Sequence, residues 1–307
     1  QGGSYLVKLC AREADCSPEE LKQGVDSILL AIDNSVSGYN PSSLLSRFNA
    51  GEDVRPDAVF RELYLRSREL WEMSGGAVDV AAGPLFDIWG FGFREGTLPS
   101  DSLVSAVSAR CGMELLPADV DSLFACRPKG TVLNFNCIAQ GYSSDCIAGY
   151  LRSRGVRDFL VDVGGEIVCE GVNPGGENWA VGIDRPVDGN FTPGRDLEGV
   201  YRPLKSPCGI VTSGNYRKFY LVDGRKYSHT IDPRSGRPVS HSLLSATVVA
   251  PDATLADGIA TYCMVAGLEE ASRFIEEREE LEACLIYDDG EGGMKEWCSS
   301  SFLLTER

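Results

Sequence analysis

Apolar positions recur at helical intervals through CSPEELKQGVDSILLAIDNSVS, where Leu21, Val25, Ile28, Leu29, Ile32 and Val36 share one face. Ser17 can cap that helix, Pro18 suits its first turn, and Glu20 can reach back to close a capping box. A second helix is predicted over about 57–74, with Phe60, Leu63, Tyr64, Leu70 and Trp71 on its stripe and Gly75-Gly76 at its end. A third runs over about 139–154 and stops at Gly155. Beyond it the period shortens. FLVDV, EIVCEGV, WAVGI, GIVTSG, KFYLV and LLSATVVA are short β-type runs between Gly, Pro and Asp turns. Helical spacing returns over about 254–266 and continues to about 280, and ACLIYDD reads as the last strand. Helices early and strands late predict an α+β fold, with no repeat and no low-complexity linker. The polar stretch 184–206, DRPVDGNFTPGRDLEGVYRPLKS, is the candidate exposed excursion.

Composition narrows the function. At 307 residues and 43% hydrophobic content the chain can bury a sizeable core. No run approaches the roughly 18 apolar residues of a membrane span. A net charge of −16 argues against nucleic acid, which needs a basic stripe. It also requires any phosphate ligand to be held by local devices: a metal, backbone amides or a few placed cations. The 11 cysteines include no Cys-x-x-Cys, so neither a zinc ribbon nor a thioredoxin motif is present. Most are expected to act as small core residues, and the odd number leaves at least one without a partner in the chain.

Four regions carry candidate chemistry. In TLADGIATYCMVAG, Asp257 and Thr261 are one helical turn apart and offer oxygen ligands to a hard cation such as Mg²⁺, though the spacing also fits a plain polar stripe. In LNFNCIAQGYSSD a strand is expected to run into a helix with Gly141 in its first turn, a junction that presents free amides to anions but is also an ordinary β–α connection. DVGGEIVCEG and IVTSGNYRKFY contain glycine turns that can bring backbone close to a ligand. GPLFDIWGFG is either a core corner or the wall of an aromatic-ligand pocket. Both histidines, His229 and His241, fall in KYSHTIDPRSGRPVSHS. No G-x-S-x-G elbow, Walker loop, HExxH or GxGxxG is present, which removes the common nucleophile and dinucleotide signatures.

Together and in this order, the stretches resemble the ApbE-type FAD:protein FMN transferases. QGGSY is similar to the family's MGTxY, and SGYNPSSLLSRFNAG to its S-T-Y…S-x-x-S-R-x-N. GGAVDVAAGPLFDIWGFG resembles G-x-F-D-x-T-x-G-P-L-x-x-x-W-G-F-G, and NFNCIAQGYSSD resembles D-L-G-G-I-A-K-G-Y-x-x-D. VDVGGEIVCEG, TSGNYRKFY, YSHTIDPRSGRPV and ADGIATYCMVAG complete the likeness, which spans essentially the whole chain. The resemblance implies one domain over 1–307, with mixed β-sheets, flanking helices and a ligand cleft between two subdomain-like halves.

The family activity so implied is Mg²⁺-dependent. The pyrophosphate of FAD is split, AMP leaves, and FMN is joined through a phosphoester to a Thr or Ser of an acceptor protein with a D-G-x-[ST]-[SG]-A-T type motif. Acceptors are typically subunits of membrane redox pumps or flavin-bearing reductases. By position, the side chains of Asp257 and Thr261 and the backbone carbonyl of Cys137 are the implied metal ligands; some relatives have a further Asp where this chain has Ala260. Tyr39 matches an aromatic on the flavin side, and Ala77, Val78 and Asp79 match an FAD-contacting strand. Asn134 and Gln140 fall where relatives carry FAD-contacting Asp and Lys or Glu, and Ile231 is expected to touch the ligand through its backbone. His229 matches the S-H-x-I-D-P histidine and is the implied general base, or positioner, for the acceptor hydroxyl, with Asp257 the alternative base. His241 matches no catalytic position and is expected to be structural. The same site with water as nucleophile would make an FAD pyrophosphatase, a reading that Tyr39 disfavours. A non-enzymatic FAD-binding protein is the third reading, kept open by the neutral Asn134 and Gln140. SLLSAT, 242–247, shares only the tail of the acceptor motif and reads as a buried strand. Relatives are commonly lipid-tethered outside the cytoplasmic membrane, so the full-length form is expected on the periplasmic side of the inner membrane.

Overall fold

A computed structural model describes residues 4–10, 17–90, 98–187, 194–215, 219–222, 225–228 and 230–305. Helix α1 (Pro18–Val36) starts as its sequence predicts. The Ser17 hydroxyl accepts the Glu20 amide at 3.2 Å, and the Glu20 carboxylate accepts the Ser17 amide at 2.8 Å. After α2 (Leu44–Asn49), α3 (Ala58–Met73) is capped by Asp57 and ends at Gly75 and Gly76, both at positive φ. The short helices α4 (Gly83–Ile88), α5 (Asp101–Ser108) and α6 (Val120–Ala125) fall outside the predicted set, because so few turns show no period. Next come α7 (Ala139–Ser153), α8 (Ala253–Ala266) and α9 (Leu268–Glu276).

The strands are β1 (Tyr5–Leu9), β2 (Phe159–Val163), β3 (Glu166–Glu170), β4 (Val181–Asp184), β5 (Leu197–Tyr201), β6 (Cys208–Gly214), β7 (Phe219–Val222), β8 (Arg225–Ser228), β9 (Ile231–Asp232), β10 (Arg237–Pro238), β11 (Leu243–Ala250), β12 (Glu282–Asp288), β13 (Met294–Cys298) and β14 (Leu304–Thr305). Seven form one sheet in the order β1-β2-β3-β6-β11-β12-β13, three form β14-β5-β4, and β7-β8 and β9-β10 are two-stranded.

The α+β class holds, with several corrections to its detail. The expectation of mixed sheets gives way to antiparallel pairing throughout the described ladders. Two helices, α8 and α9, separate β11 from β12, so the chain reverses once more than a single crossover helix would allow. ACLIYDD is not the last strand, since β13 and β14 follow it. The excursion expected at 184–206 contains β5, which pairs with β4 and buries Tyr201; residues 188–193 lie outside the described residues. Residues 131–135 form no strand. Their polar groups are met instead by Asn49, which bonds both the Leu133 amide (2.9 Å) and carbonyl (2.8 Å), and by the Val80 carbonyl, which accepts the Asn134 amide at 2.8 Å.

Three layers result. Val161 and Val163 of β2, Val248 of β11, and Ala283 and Leu285 of β12 face the helices. Leu160, Ile210, Val249, Cys284 and Ile286 face the three-stranded sheet, where Trp179, Tyr201 and Phe302 pack. Side chains alternate across each strand, so a sheet covered on both faces reads in sequence as nearly unbroken apolar runs. Of the cysteines, Cys169, Cys208, Cys263 and Cys284 are buried, Cys126 is exposed and the other described ones are half-buried, so fewer lie in the core than expected.

Candidate active site

Helices α7 and α8 meet at Gly141. A Cβ there would come within 2.2 Å of the Ala253 carbonyl oxygen and 3.0 Å of the Asp257 Cβ. Only glycine permits that approach, and the approach lets the Gly141 amide donate to Asp257 Oδ2 at 3.1 Å. As the third residue of α7 it carries one of the amides that have no acceptor within the helix, and that amide is directed to the carboxylate. Asp257 is 5% exposed, and among the described residues no basic side chain pairs with it. Burial, and then the charge of nearby Glu166, push its pKa well above the carboxylate range, while the Gly141 amide opposes them. Thr261 lies one turn along the same helix and is half-buried. Burial and the nearby Asp257 charge also raise the Cys137 thiol, which therefore stays protonated.

Two acids hold α8 in this position. Asp145, one turn beyond Gly141 on α7, accepts the amides of Ala253 (2.9 Å) and Thr254 (2.8 Å) and the Thr254 hydroxyl. Asp252 caps the same helix through the Leu255 amide at 2.7 Å and takes Arg66 Nη2 on both oxygens at 2.8 Å. Sequence reasoning assigned no role to Asp145, although its i+4 spacing from Gly141 puts both on the face that meets α8. Glu166 is a second residue it missed. The Gly164-Gly165 turn between β2 and β3, with φ of +74° and +114°, delivers Glu166 to the start of α7. There Glu166 Oε2 accepts Gln140 Nε2 at 3.0 Å. The Gln140 amide, expected to contact FAD, is thus engaged with this turn.

The preceding loop brings in more of the expected residues. Asn134 Oδ1 accepts the Asn136 amide at 2.9 Å, shaping the turn that presents Cys137. Asn136 Nδ2 donates to the Tyr39 hydroxyl at 3.3 Å, and Tyr39 is 71% exposed beside that turn. Ala77 and Val78 are buried in the main core, so only their backbone can meet a ligand. Asp79 accepts the Ala81 amide at 2.8 Å and the Met113 amide at 3.0 and 3.2 Å, and burial raises its pKa. The Val80–Asn134 bond joins this stretch to the Cys137 turn. Ile231 is 1% exposed, which leaves its backbone as the part available to a ligand. Among the described residues no hydrogen bond ties Ile231 to the Asp257 group. Its neighbour Thr230 donates to Asn215 Oδ1 at 2.6 Å, which connects the TSGN and HTIDP stretches. His229 lies outside the described residues.

His241 is structural, as expected. Its Nε2 meets the Met264 carbonyl at 3.0 Å near the end of α8, and its Nδ1 accepts the Leu243 amide at 3.3 Å. In GPLFDIWGFG, Leu85 is buried and Trp89 Nε1 donates to the Gly236 carbonyl at 2.8 Å, so this stretch is a corner that braces the β9-β10 ribbon; Phe91 lies outside the described residues. The Asp257 group therefore combines a buried carboxylate, a hydroxyl one turn away, a second carboxylate nearby and a carbonyl-bearing turn at a helix start. Hard oxygen donors of this kind suit a hard divalent cation rather than a soft one.

Known proteins resemble the chain over most of its length. The model of the ApbE family matches residues 2–285. A FAD:protein FMN transferase of Vibrio cholerae is 34% identical over 307 residues, covering 98% of this chain and 89% of the relative. The Escherichia coli protein of the same name is 33% identical over 309 residues, covering 94% and 83%. Among solved structures, the flavin transferase ApbE of Vibrio cholerae aligns with a TM-score of 0.82 at 30% identity, over 99% of this chain and 96% of that one. The flavinyl transferase ApbE of Pseudomonas stutzeri aligns at 0.83 and 32%, over 97% and 91%. With its sequence matched nearly from end to end and its fold superposing on these structures, the chain belongs to the ApbE family.

Proposed function

We propose that this chain is a FAD:protein FMN transferase that works with Mg²⁺ held by Asp257, Thr261 and the Cys137 carbonyl. The observation that carries the reading is the buried Asp257 carboxylate, fixed by the Gly141 amide at 3.1 Å and set beside Glu166 without a basic partner among the described residues. A buried carboxylate with a half-buried one beside it is favoured as an anion when a cation sits close to it. In the reaction, an acceptor hydroxyl oxygen bonds to the phosphorus of the FMN half of FAD, the bond from that phosphorus to the bridging oxygen breaks, and AMP departs. Bound Mg²⁺ supplies neutralisation of the pyrophosphate and of the charge on the leaving phosphate.

The chain's own groups do the rest. The Gly141 amide orients Asp257, and the first amides of α7 add positive potential where phosphate sits. Tyr39 offers an exposed aromatic face to the flavin. The backbone of Ala77–Asp79 and of Ile231, with Asn134 and Gln140, supplies further FAD contacts. The hydroxyl proton passes to His229, whose neutral imidazole suits that role near pH 7, or to Asp257, whose proton affinity burial raises. The acceptor is a protein with a D-G-x-[ST]-[SG]-A-T type motif, in a redox pump or flavin-bearing reductase. The transferase itself works on the periplasmic side of the inner membrane on a lipid tether, which membrane fractionation of the native host would check.

The test incubates the protein with FAD, Mg²⁺ and a domain carrying the acceptor motif, and follows acceptor mass and AMP. One FMN added to the acceptor, lost with chelator and with Asp257→Ala, is the expected result. AMP and free FMN with an unmodified acceptor would make the protein a pyrophosphatase. FAD bound and unchanged would leave a binding protein and remove the assigned roles of Asp257 and His229.

A further inference from the structure

Strands β12 and β13 form the outer edge of the seven-stranded sheet, and Cys284 and Cys298 face each other directly across them. Their thiols are within hydrogen-bonding reach. Glu296 precedes Cys298 by two residues and so projects on the same face. One ligand atom from each of Cys284, Glu296 and Cys298 lies within 4.8 Å of the other two. We propose that these three side chains form a site for a soft divalent cation of the zinc class, which would pin the edge strand β13 to β12.

The donor set argues for this class of ion. Two thiols with one carboxylate select zinc-type metals over Mg²⁺, the reverse of the oxygen donors around Asp257. Thiolates about 2.3 Å from a tetrahedral ion stand roughly 3.8 Å apart, so small side-chain rotations would close the group onto a metal. Exposure rises across the three, with Cys284 buried, Cys298 half-buried and Glu296 exposed, which gives the ion a path from solvent and leaves a fourth position to water. Glu198 of β5, ion-paired to Arg185 at 2.9 Å, adds negative potential beside Cys284. A disulfide would use the two sulfurs and leave Glu296 without a part.

The site is distinct from the Asp257 group. Cys284 points into the layer shared with the three-stranded sheet, whereas α8 packs on the opposite face. The match to the family model ends at residue 285, before Glu296 and Cys298, so two of the three ligands lie outside the matched span. Binding is not redox chemistry. Each thiol releases its proton to solvent as its sulfur coordinates the ion.

The experiment titrates Co²⁺ into the full chain, reduced and stripped with chelator, and reads thiolate-to-cobalt charge-transfer absorption. Saturation at a single ion per chain, with displacement by Zn²⁺ but not by excess Mg²⁺, is expected. Cys298→Ser should abolish the band, and Glu296→Gln, at an exposed position that leaves folding intact, should weaken binding by about tenfold or more. Asp257→Ala should leave the band unchanged. Absence of the band, or its persistence in Cys298→Ser, would overturn the proposal. So would a protein two hydrogens lighter whose Cys284 and Cys298 resist alkylation until reduced, since that result makes the pair a disulfide.

Discussion

His241 and Asp257 are both polar side chains packed with α8, and they are satisfied in opposite ways. His241 Nδ1 accepts the Leu243 amide, so its proton sits on Nε2 and donates to the Met264 carbonyl; the ring is complete as a neutral group. Asp257 accepts one amide and has a neighbouring acid, and burial and that acid's charge push its pKa well above the carboxylate range. Burial holds the His241 pKa below its usual value. As pH falls below about 6.5 the unfolded chain takes up a proton before the folded one does. The contribution of His241 to stability is therefore full above that value and is lost as pH falls toward the lower folded-state value. His241→Asn, whose Oδ1 can still accept from Leu243, should flatten the acid limb of a plot of melting temperature against pH. An unchanged limb would remove His241 as a source of it. Both histidines share one stretch of sequence, and nothing in the local pattern separated them. The family motif did, and the structure gives His241 contacts with α8 and with Leu243.

At the scale of elements, α1 was legible because its signals are local. Ser17 and Glu20 bond each other three residues apart, and the apolar stripe follows at once. The Cys137 turn was not legible in the same way. It looked like a strand because Leu133 and Phe135 alternate with Asn134 and Asn136, but its partners are Asn49 and Val80, which no local window contains. Gly141 belongs to the same class, since its necessity comes from the Ala253 carbonyl of another helix. Gly141→Ala should force α7 and α8 apart, costing about 1–3 kcal/mol by urea denaturation. It should also lower FMN transfer well beyond what the stability change explains, because the amide that orients Asp257 moves with the helix. Wild-type transfer in this variant would show that the close approach serves packing alone.

Across the whole molecule, the seven-stranded sheet is a partition. One face carries the helices and the Asp257 group, and the other meets the three-stranded sheet. The second interface is braced by a buried polar contact, the Tyr201 hydroxyl donating to Glu282 Oε2 at 2.7 Å, with Lys205 at 3.6 Å from the same carboxylate. Tyr201→Phe leaves Glu282 short of a donor and should cost about 1–3 kcal/mol in urea denaturation. FMN transfer per folded molecule should be unchanged, because the lesion lies across the sheet from the site. A parallel loss of activity would mean that the two layers are mechanically coupled.

By itself the sequence determined the long helices, most of the core strands, the α+β class and, through ordered motifs, the family. Those signals are periodicities and caps whose physical cause lies within a few residues, or strings of residues that stay recognisable one by one. Tertiary structure alone decided which way the strands pair, that Asp145 anchors α8, that Glu166 stands beside Asp257, and that Cys284, Glu296 and Cys298 converge. Each of these depends on residues brought together by a sheet register or a helix crossing. Sequence separation carries no trace of such a contact until the chain has folded around it.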